Sequence, residues 1–407
     1  MVKLFLRTDL APHVATEVAA LPFVLRHGSR DVPSLRAVSR TLEALFGAAL
    51  GIDVLKLGEH HVLTFSLEVL GDRFLPAGAE VLRRGLELAT GLLLDPARDE
   101  RGHLRAEPVA QEKEKMRRLI EGLINDKGAY AIERCIQELC AGEPFSVFEY
   151  GALADLEGLD GAALEARRAR LVAEAPIDVY LAGAFDPDQA EALIRALLPV
   201  ERGELPPLRG TTPHPPAREV REVHEAVAGL NQGKLVLGYR TASRLGEPGY
   251  WPLLLMNGVL GGFAHSKLFT NVREKAGLCY DASSSLERFK GLLFVYAGID
   301  PKDFARTRDL CQAQVEAIAQ GEVSDDELGH TRLAFREAYR ALLDSPQRLV
   351  NLDFMFGLGG LGFSPDDAVA ALDAVTREQV QAAAAGLRLD TVYFLAPQGA
   401  PPEEPSE

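Results

Sequence analysis

The sequence predicts an α+β fold of two homologous sandwich domains, each a mostly antiparallel sheet covered on one side by helices. The first observation behind this prediction is an order of elements that occurs twice along the 407 residues: helix, break, helix, strand, strand, helix. The second observation is a proline-rich run that separates the two copies. A chain of this length also exceeds what one hydrophobic core usually accommodates, so two domains are expected.

The first copy begins with two apolar stretches that predict helices at 13–25 and 35–47, separated by the break HGSRDVPS. Two strands are predicted next, at AALGIDVLKLG and at 60–70, where apolar and polar residues alternate as in a half-buried strand. A long helix begins after GDRFLPAG, and PIDVYLAGAFD at 176–186 predicts a further strand.

The second copy follows the same order. Its predicted elements are a strand at 233–241, helices at 249–262 and 264–277, two strands in LCYDASSSLER and GLLFVYAGID, a helix at 301–321 and a strand at 391–398. The helix at 301–321 has the expected boundaries, since a proline favours the first helical turn and a glycine the end.

Five prolines lie within 201–220, and such a run excludes both a helix and a central strand. We therefore expect an N-terminal domain at 1–200, a linker at 201–220 and a C-terminal domain at 221–398. The remaining tail, 399–407, is acidic and proline-rich, a composition typical of disorder.

The composition excludes several classes of function. The net charge of −15, from 59 acidic and 44 basic residues, repels phosphate backbones and anionic lipid, so neither nucleic acid nor a membrane is expected as partner. No stretch of 18 uncharged apolar residues predicts a transmembrane helix, and the N-terminus lacks the apolar core of a signal peptide. The four cysteines do not form a disulfide framework in a chain this long, which predicts that the protein is in the reducing cytoplasm.

The usual catalytic motifs are missing from the sequence. None of the nine histidines recurs at the H-x-x-x-H spacing of a helical zinc site, and His60 and His61 are adjacent in a predicted strand, where they face opposite sides. The glycine-rich runs GVLGGF and FGLGGLGF do not match a phosphate-binding loop, and no G-x-S-x-G is present. No metal or other cofactor is expected.

The stretch NVREKAGLCY combines Arg273 and Tyr280, where a helix is predicted to give way to a strand. A guanidinium and a phenol can both donate hydrogen bonds to a peptide carbonyl or to the oxyanion formed from it. On spacing alone, an Arg–Glu surface pair beside a half-buried tyrosine is the more ordinary interpretation.

The longer stretch LLMNGVLGGFAHSKLFTNVREKAGLCYDASSS resembles the C-terminal-domain signature of the insulinase/pitrilysin family of zinc peptidases, which includes the mitochondrial processing peptidases. The resemblance implies that Arg273 and Tyr280 bind the substrate backbone and stabilise the reaction intermediate. It extends over nearly the whole chain, and it makes AEPVAQEKEKMRRLIEG similar to the helix that carries the third zinc ligand, at Glu112.

The sequence departs from this family at the metal site. Its peptidases carry H-x-x-E-H on the first helix, and these positions correspond to Ala19, Pro22 and Phe23 here, while Leu119 stands where a second glutamate is usual. One carboxylate, Glu112, does not hold zinc, so these are vestigial positions and no metal-activated water is expected.

The stretches LPFVLRHGSRDVPS and EGLINDK resemble a bacterial, non-catalytic subgroup. Similarity to two-chain peptidases implies a zinc-bearing homologous subunit as partner and a peptide or unfolded polypeptide as substrate. The chain would be inactive alone. The alternatives are an inactive scaffold or a peptide-binding homodimer, and a nucleotide-dependent enzyme built on the glycine-rich runs.

Overall fold

The computed structural model describes residues 1–76, 78–200, 202, 204–212 and 219–399. The chain forms two compact units, one from Met1–Gly122 with Val147–Gly210, the other from Leu123–Ser146 with the chain from Thr211 on. Most of the expected tail at 399–407 and part of the expected linker (201, 203 and 213–218) lie outside the described residues.

Up to residue 198 the described chain forms the following α-helices and β-strands, given in sequence order. They are β1 (Val2–Asp9), α1 (Pro12–Leu25), α2 (Leu35–Ala44), β2 (Ala49–Leu57), β3 (His60–Glu68), α3 (Val81–Leu94), α4 (Ala106–Gly122), α5 (Lys127–Leu139), α6 (Leu153–Leu156), α7 (Gly161–Glu174), β4 (Ile177–Leu181) and α8 (Pro187–Leu197).

After residue 220 the order of elements from the first part recurs and is followed by extra helices. The elements are β5 (Arg221–Val227), β6 (Gly233–Arg240), α9 (Tyr250–Asn257), two π-helical segments (Gly258–Gly262 and Leu268–Lys275), β7 (Cys279–Glu287), β8 (Leu292–Ile299), α10 (Phe304–Ala319), α11 (Asp325–Arg340), α12 (Pro346–Leu358), α13 (Pro365–Asp373), α14 (Arg377–Ala385) and β9 (Arg388–Pro397).

The first unit contains an antiparallel sheet in the order β2-β3-β1-β4. Its core lies on one face, because side chains alternate along a strand and the apolar ones of β1 and β3 share that face. Leu4 and Leu6 of β1 lie opposite Phe65 and Leu63 of β3, and all four are buried. Helices α1, α3 and α7 pack against this sheet.

The second unit contains a five-stranded sheet in the order β5-β9-β6-β8-β7. Four of these strands, β9-β6-β8-β7, repeat the order β4-β1-β3-β2 of the first unit, and β5 adds a parallel strand beside β9. The predicted fold class is thus confirmed, including the duplication. One face of this sheet supports a core shared with α9, α10 and α14.

Two strands were not predicted from the sequence. β5 is mostly polar, and the apolar face of β1, formed by Val2, Leu4 and Leu6, is a signal that was missed. The helix predicted at 264–277 begins later, at Leu268, and has π-helical rather than α-helical geometry.

Helix α5 corrects the predicted domain boundaries, which placed all of 1–200 in the first domain. Leu123–Ser146 belongs to the second unit, where α5 covers the other face of the five-stranded sheet. Its buried Cys135 and Leu139 pack over β6 at Gly238. A Cβ at Gly238 would lie 2.5 Å from Leu139 Cδ1 and 3.1 Å from Cys135 Sγ, so the missing side chain permits this close approach.

The end of α5 is fixed by a buried ionic network around Arg240, the last residue of β6. Arg240 Nε donates to Asp390 Oδ2 at 2.8 Å, and its Nη2 donates to Glu143 Oε1 at 2.7 Å and to the Leu139 carbonyl at 2.8 Å. Lys290, fully buried, lies 2.6 Å from Glu143. Two cations therefore face two carboxylates, which compensates charges that would be costly to bury alone.

None of the helices in the described residues is both long enough and apolar enough to cross a bilayer. No disulfide joins any of the four cysteines in the described part of the chain, and Cys135, Cys140 and Cys311 are buried.

Replacement of Gly238 by valine tests the packing of α5. The added side chain would collide with Leu139 and Cys135, and overpacking of this kind lowers the free energy of unfolding by about 1–3 kcal/mol. Denaturant unfolding of the purified variant measures it. Gly329→Ala is the control, because a Cβ there meets open space in helix α11 and alanine favours a helix. An unchanged midpoint for Gly238→Val would contradict the packing described.

Candidate functional site

Arg273 lies on the second π-helical segment, Leu268–Lys275. The wider turn shows in the backbone bond from Ala276 N to Asn271 O, which spans five residues at 3.1 Å. Leu268 and Val272 are buried in the core of the second unit, which leaves Arg273 half-buried on the outer side. π-Helical turns are rare and are frequently found at functional sites.

Tyr280 lies at the start of β7, the edge strand of the five-stranded sheet. Gly277, with φ of +64°, ends the helix in the left-handed conformation that glycine adopts readily. The pairing of β7 with β8 then shifts register between Cys279 and Asp281, so Tyr280 is the extra residue of a β-bulge. A bulge redirects a side chain, and the side chain of Tyr280 is 78% exposed.

The structure brings Arg273 and Tyr280 together. Arg273 Cζ lies 5.8 Å from the centre of the Tyr280 ring and 4.4 Å from that of Phe269, so the guanidinium packs against two aromatic rings. Such cation–π contacts contribute about 0.5–1 kcal/mol each at exposed sites and hold the guanidinium in place. Its N–H donors and the phenol O–H remain available to a carbonyl oxygen.

The more ordinary interpretation of this pair, an Arg–Glu ion pair beside a half-buried tyrosine, is wrong. Within the part of the chain that the structure describes, no carboxylate lies within ion-pairing distance of Arg273, and Tyr280 is mostly exposed. The guanidinium charge is therefore not neutralised by a neighbouring acid among these residues.

The platform beneath the pair is anchored by hydrogen bonds to neighbouring elements. Asn271 Nδ2 donates to Gln314 Oε1 of α10 at 2.6 Å, and Lys275 Nζ donates to Asn271 Oδ1 at 3.0 Å. The first π-helical segment contacts β7 at Gly261, where a Cβ would lie 2.5 Å from the Ser284 backbone nitrogen. These contacts fix both helical segments against the strand that carries Tyr280.

Cys279, next to Tyr280, is not an activated nucleophile. Burial raises the pKa of its thiol to about 11, with a further contribution from Asp281, and Arg273 opposes the shift. The thiol is therefore protonated at neutral pH, whereas a catalytic cysteine requires the thiolate.

The positions that the resemblance assigns to the metal-binding motif lie on α1 and carry hydrocarbon side chains. Ala19 and Pro22 are buried in the core of the first unit. Phe23 is half-buried, and the Arg26 guanidinium lies 5.2 Å from its ring centre. Hydrocarbon side chains at these three positions cannot coordinate a cation.

Glu112, the candidate third ligand, is 1% exposed on α4 and is already paired. Its Oε1 lies 2.6 Å from His27 Nε2 and 2.5 Å from Lys115 Nζ. Burial raises the pKa of this carboxyl, but the hydrogen bonds with Lys115 and His27 outweigh burial and hold the pKa below its usual value. The carboxylate charge is thus compensated within the protein.

A zinc ion does not fit these residues. Across the described ranges, no three His, Cys, Asp or Glu side chains are grouped so that they could hold a metal ion. The site has one carboxylate, one imidazole and an ammonium group that repels cations, so no reaction step through a bound metal is assigned to this chain.

Sequence reasoning missed two residues of these sites, His27 and Phe269. His27 follows α1 and meets Glu112 from 85 residues away, a contact without a local signal. Phe269 precedes Arg273 by four positions on the same helical segment, and this spacing could have indicated the contact.

Comparison with known proteins identifies relatives described as probably inactive and relatives described as zinc proteases. The family model described as "Peptidase M16 inactive domain" matches residues 163–334. The "Probable inactive metalloprotease YmfF" of Bacillus subtilis is 32% identical over 93% of this chain and 88% of its own length. The "Uncharacterized zinc protease Rv2782c" of Mycobacterium tuberculosis is 27% identical over 75% of this chain and 70% of its own.

Solved structures share the whole architecture. A conserved protein from Enterococcus faecalis is 28% identical, covers 100% of this chain and 94% of its own, and superposes with a TM-score of 0.88. A peptidase M16 inactive domain from Pseudomonas fluorescens covers 99% of this chain and 94% of its own, with a TM-score of 0.76 at 19% identity, which shows the fold alone.

Glu112→Gln tests the charge compensation on α4. Because the folded protein holds the pKa of Glu112 below its ordinary 4.5, the stabilisation is complete above pH 4.5 and is lost as the pH falls through the lower folded pKa. We expect the variant to lose this contribution, so its free energy of unfolding declines less steeply between about pH 5 and about pH 3. Denaturant unfolding across this pH range measures the difference.

Glu114→Gln is the matched control, since Glu114 is an exposed acid on the same helix. If the free energy of unfolding of both variants declined with falling pH as steeply as that of the wild-type protein, the ion pairs of Glu112 would not stabilise the fold.

Purified chain dialysed against trace zinc is expected to retain substoichiometric metal, because the family's ligand positions hold hydrocarbon side chains. Elemental analysis measures the metal content, with a zinc-bearing homologue treated in parallel as the positive control. Stoichiometric zinc that survives dialysis would show a metal site built from other residues.

Proposed function

The chain belongs to the M16 family of metallopeptidases, and from that premise we propose that it is a non-zinc, peptide-binding subunit that complements a zinc-bearing homologue in a two-chain peptidase. Such a subunit would have no peptidase activity alone. Its substrate would be a peptide or unfolded polypeptide, because only an extended chain offers its backbone carbonyls to side chains.

One observation carries this proposal. The two polar groups that the family uses on substrate, Arg273 and Tyr280, lie in contact and are open to solvent. At the same time the positions of Ala19, Pro22 and Phe23 have lost every ligand atom. A structure that keeps substrate-binding groups without the metal site supports a role in which another chain provides the activated water.

In this role Arg273 and Tyr280 hold the peptide rather than attack it. The guanidinium, held between Phe269 and Tyr280, donates to a backbone carbonyl next to the scissile bond. The phenol O–H donates to the scissile carbonyl oxygen, and this bond strengthens as negative charge develops on that oxygen. Since both groups bind backbone atoms, recognition by this pair is independent of the peptide's side chains.

We place this subunit in the cytoplasm, where free thiols persist. The four cysteines support this placement, because none forms a disulfide among the described residues and a reducing compartment keeps thiols in this state.

An inactive scaffold or peptide-binding homodimer is the second candidate. It is favoured by the similarity to a relative described as a probable inactive metalloprotease. In a scaffold, Arg273 and Tyr280 would be covered in the assembly and would contact no substrate. Reactivity of Tyr280 toward a water-soluble phenol reagent in the purified assembly distinguishes the two, since a covered phenol is protected.

Arg273→Ala and Tyr280→Phe test the proposed function in a mixture with a zinc-bearing homologue from the same genome. Loss of one transition-state donor typically lowers kcat by about 100-fold. We therefore expect both variants to cut peptide cleavage strongly while they still co-purify with the partner. Cleavage of a fluorogenic peptide measures this effect.

Arg306→Ala is the matched control, because Arg306 is an exposed arginine on α10 outside the aromatic contact. It should cleave as the wild-type mixture does. Equal cleavage by wild-type, Arg273→Ala and Tyr280→Phe mixtures would exclude complementation through this pair.

A further inference from the structure

The turn 263–267 joins the two π-helical segments and packs against helix α11 through His265. His265 Nε2 lies 3.1 Å from the hydroxyl oxygen of Thr331, a fully buried residue of α11. The imidazole stacks parallel to the ring of Phe263, with 5.5 Å between the ring centres. The ring of His330, also on α11, meets the imidazole edge-on, with 5.7 Å between the centres. Two imidazoles thus face each other where the turn contacts the helix.

The turn also determines how the second π-helical segment begins. Ser266 is 1% exposed, and its N–H donates to the carbonyl of Phe263 at 3.1 Å. The Ser266 carbonyl accepts from Thr270 N at 2.9 Å, and its hydroxyl accepts from Phe269 N at 3.4 Å. Phe269 in turn supports the guanidinium of Arg273 on its ring. A displacement of the turn is therefore transmitted through Ser266 and Phe269 to Arg273.

Titratable groups reach His265 from α11 and from the turn itself. His330 and Glu327 lie on α11, and Lys267 lies on the turn, with its Nζ 2.9 Å from Glu327 Oε1. The other carboxylate oxygen of Glu327 accepts from the N–H of Ser324 at 2.8 Å. The first π-helical segment, which also packs against α11, contains no titratable side chain. Glu327 thus already compensates Lys267 and the start of α11.

This position favours the neutral form of His265. Burial and the neighbouring His330 lower the pKa of the imidazole from the ordinary 6.5, and the opposite effect of Glu327 is smaller than these two together. A neutral imidazole can accept a hydrogen bond from the Thr331 hydroxyl at Nε2, whereas an imidazolium cannot. Because the unfolded chain takes up this proton more readily, the stabilisation is complete above pH 6.5 and is lost as the pH falls through the lower folded pKa.

We infer that His265 is a positioning residue for Arg273, and that protonation of the His265–His330 pair releases the turn 263–267 from α11. At neutral pH the uncharged pair holds the turn, so Phe269 keeps the guanidinium in place. In acid, two imidazolium groups at this separation repel each other, and the turn leaves the helix. Peptide binding then weakens below about pH 6. This last consequence rests on the proposed function, whereas the release of the turn does not.

Hydrogen exchange of the full chain alone tests the release, with mass spectrometry on peptides that cover 263–275. Protection is compared at about pH 7.5 and about pH 5.5, after correction for the intrinsic pH dependence of amide exchange. We expect protection of this segment to fall about tenfold in acid, while protection of β6 in the same unit is unchanged. An equal loss of protection in β6 would indicate general acid unfolding and would overturn the proposal.

Substitutions at position 265 hold the side chain in one charge state. His265→Gln keeps a neutral hydrogen-bonding group, so we expect high protection at both pH values. His265→Arg carries a permanent charge, so we expect low protection at both. His330→Gln removes the second imidazole and should reduce the loss of protection in acid. His13→Gln is the matched control, because His13 is an exposed histidine on α1 of the first unit, and it should respond as the wild-type protein does.

The wild-type measurement decides the matter even if His265→Arg fails to fold. No loss of protection in the wild-type protein, or an undiminished loss in His265→Gln, would overturn the proposal. A full response in His330→Gln would contradict the role of the pair.

Peptide cleavage in the mixture with a zinc-bearing homologue tests whether the release reaches Arg273. The ratio of kcat/KM between the His265→Gln and wild-type mixtures cancels the pH dependence of the partner. We expect this ratio to be several-fold higher at about pH 5.5 than at about pH 7.5, mainly through KM. A ratio that does not change with pH, beside a positive exchange result, would contradict the positioning of Arg273. Cleavage that is insensitive to Arg273→Ala would instead exclude the proposed function, and the exchange result would still decide the release of the turn.

Discussion

The second unit depends on the compensation of the buried charge of Arg240. This side chain is 4% exposed and joins three elements that are distant in sequence: β6, β9 through Asp390, and the end of α5 through Leu139 and Glu143. Removal of one partner from a buried ion pair costs about 3–5 kcal/mol, because it leaves the other charge without compensation. The network thereby fixes α5 over one sheet face, and the opposite face is free to support the helical segments with Arg273.

The same electrostatic rule explains the contacts of Glu112 in the first unit. Glu112 is as buried as Arg240, and a buried carboxylate requires a cation or strong hydrogen bonds. In this chain Lys115 and His27 supply both to one of its oxygens, Oε1. An ammonium group beside the carboxylate both stabilises the fold and opposes a second cation.

The candidate substrate site is built from departures from regular structure. A π-helical segment places Arg273 over Phe269, and a bulge on an edge strand directs Tyr280 outward. Both features lie on a well-packed base, since Leu268 and Val272 are buried. The irregular backbone thus brings the hydrogen-bond donors of Arg273 and Tyr280 together while the residues beneath them stay packed. At Gly261 the first π-helical segment approaches strand β7 closely.

The sequence by itself determined the duplicated α+β fold, most helices and strands, and the Arg273–Tyr280 motif, because hydrophobic periodicity, proline breaks and motif spacing are local properties. It did not determine β5, whose polar residues reflect partners on α5 rather than an apolar face. Only the tertiary structure decided that α5 belongs to the second unit, that His27 meets Glu112 and that Tyr280 occupies a bulge. Each of these is a contact between separate segments of the chain, and it depends on shape and charge complementarity that no single stretch of sequence contains.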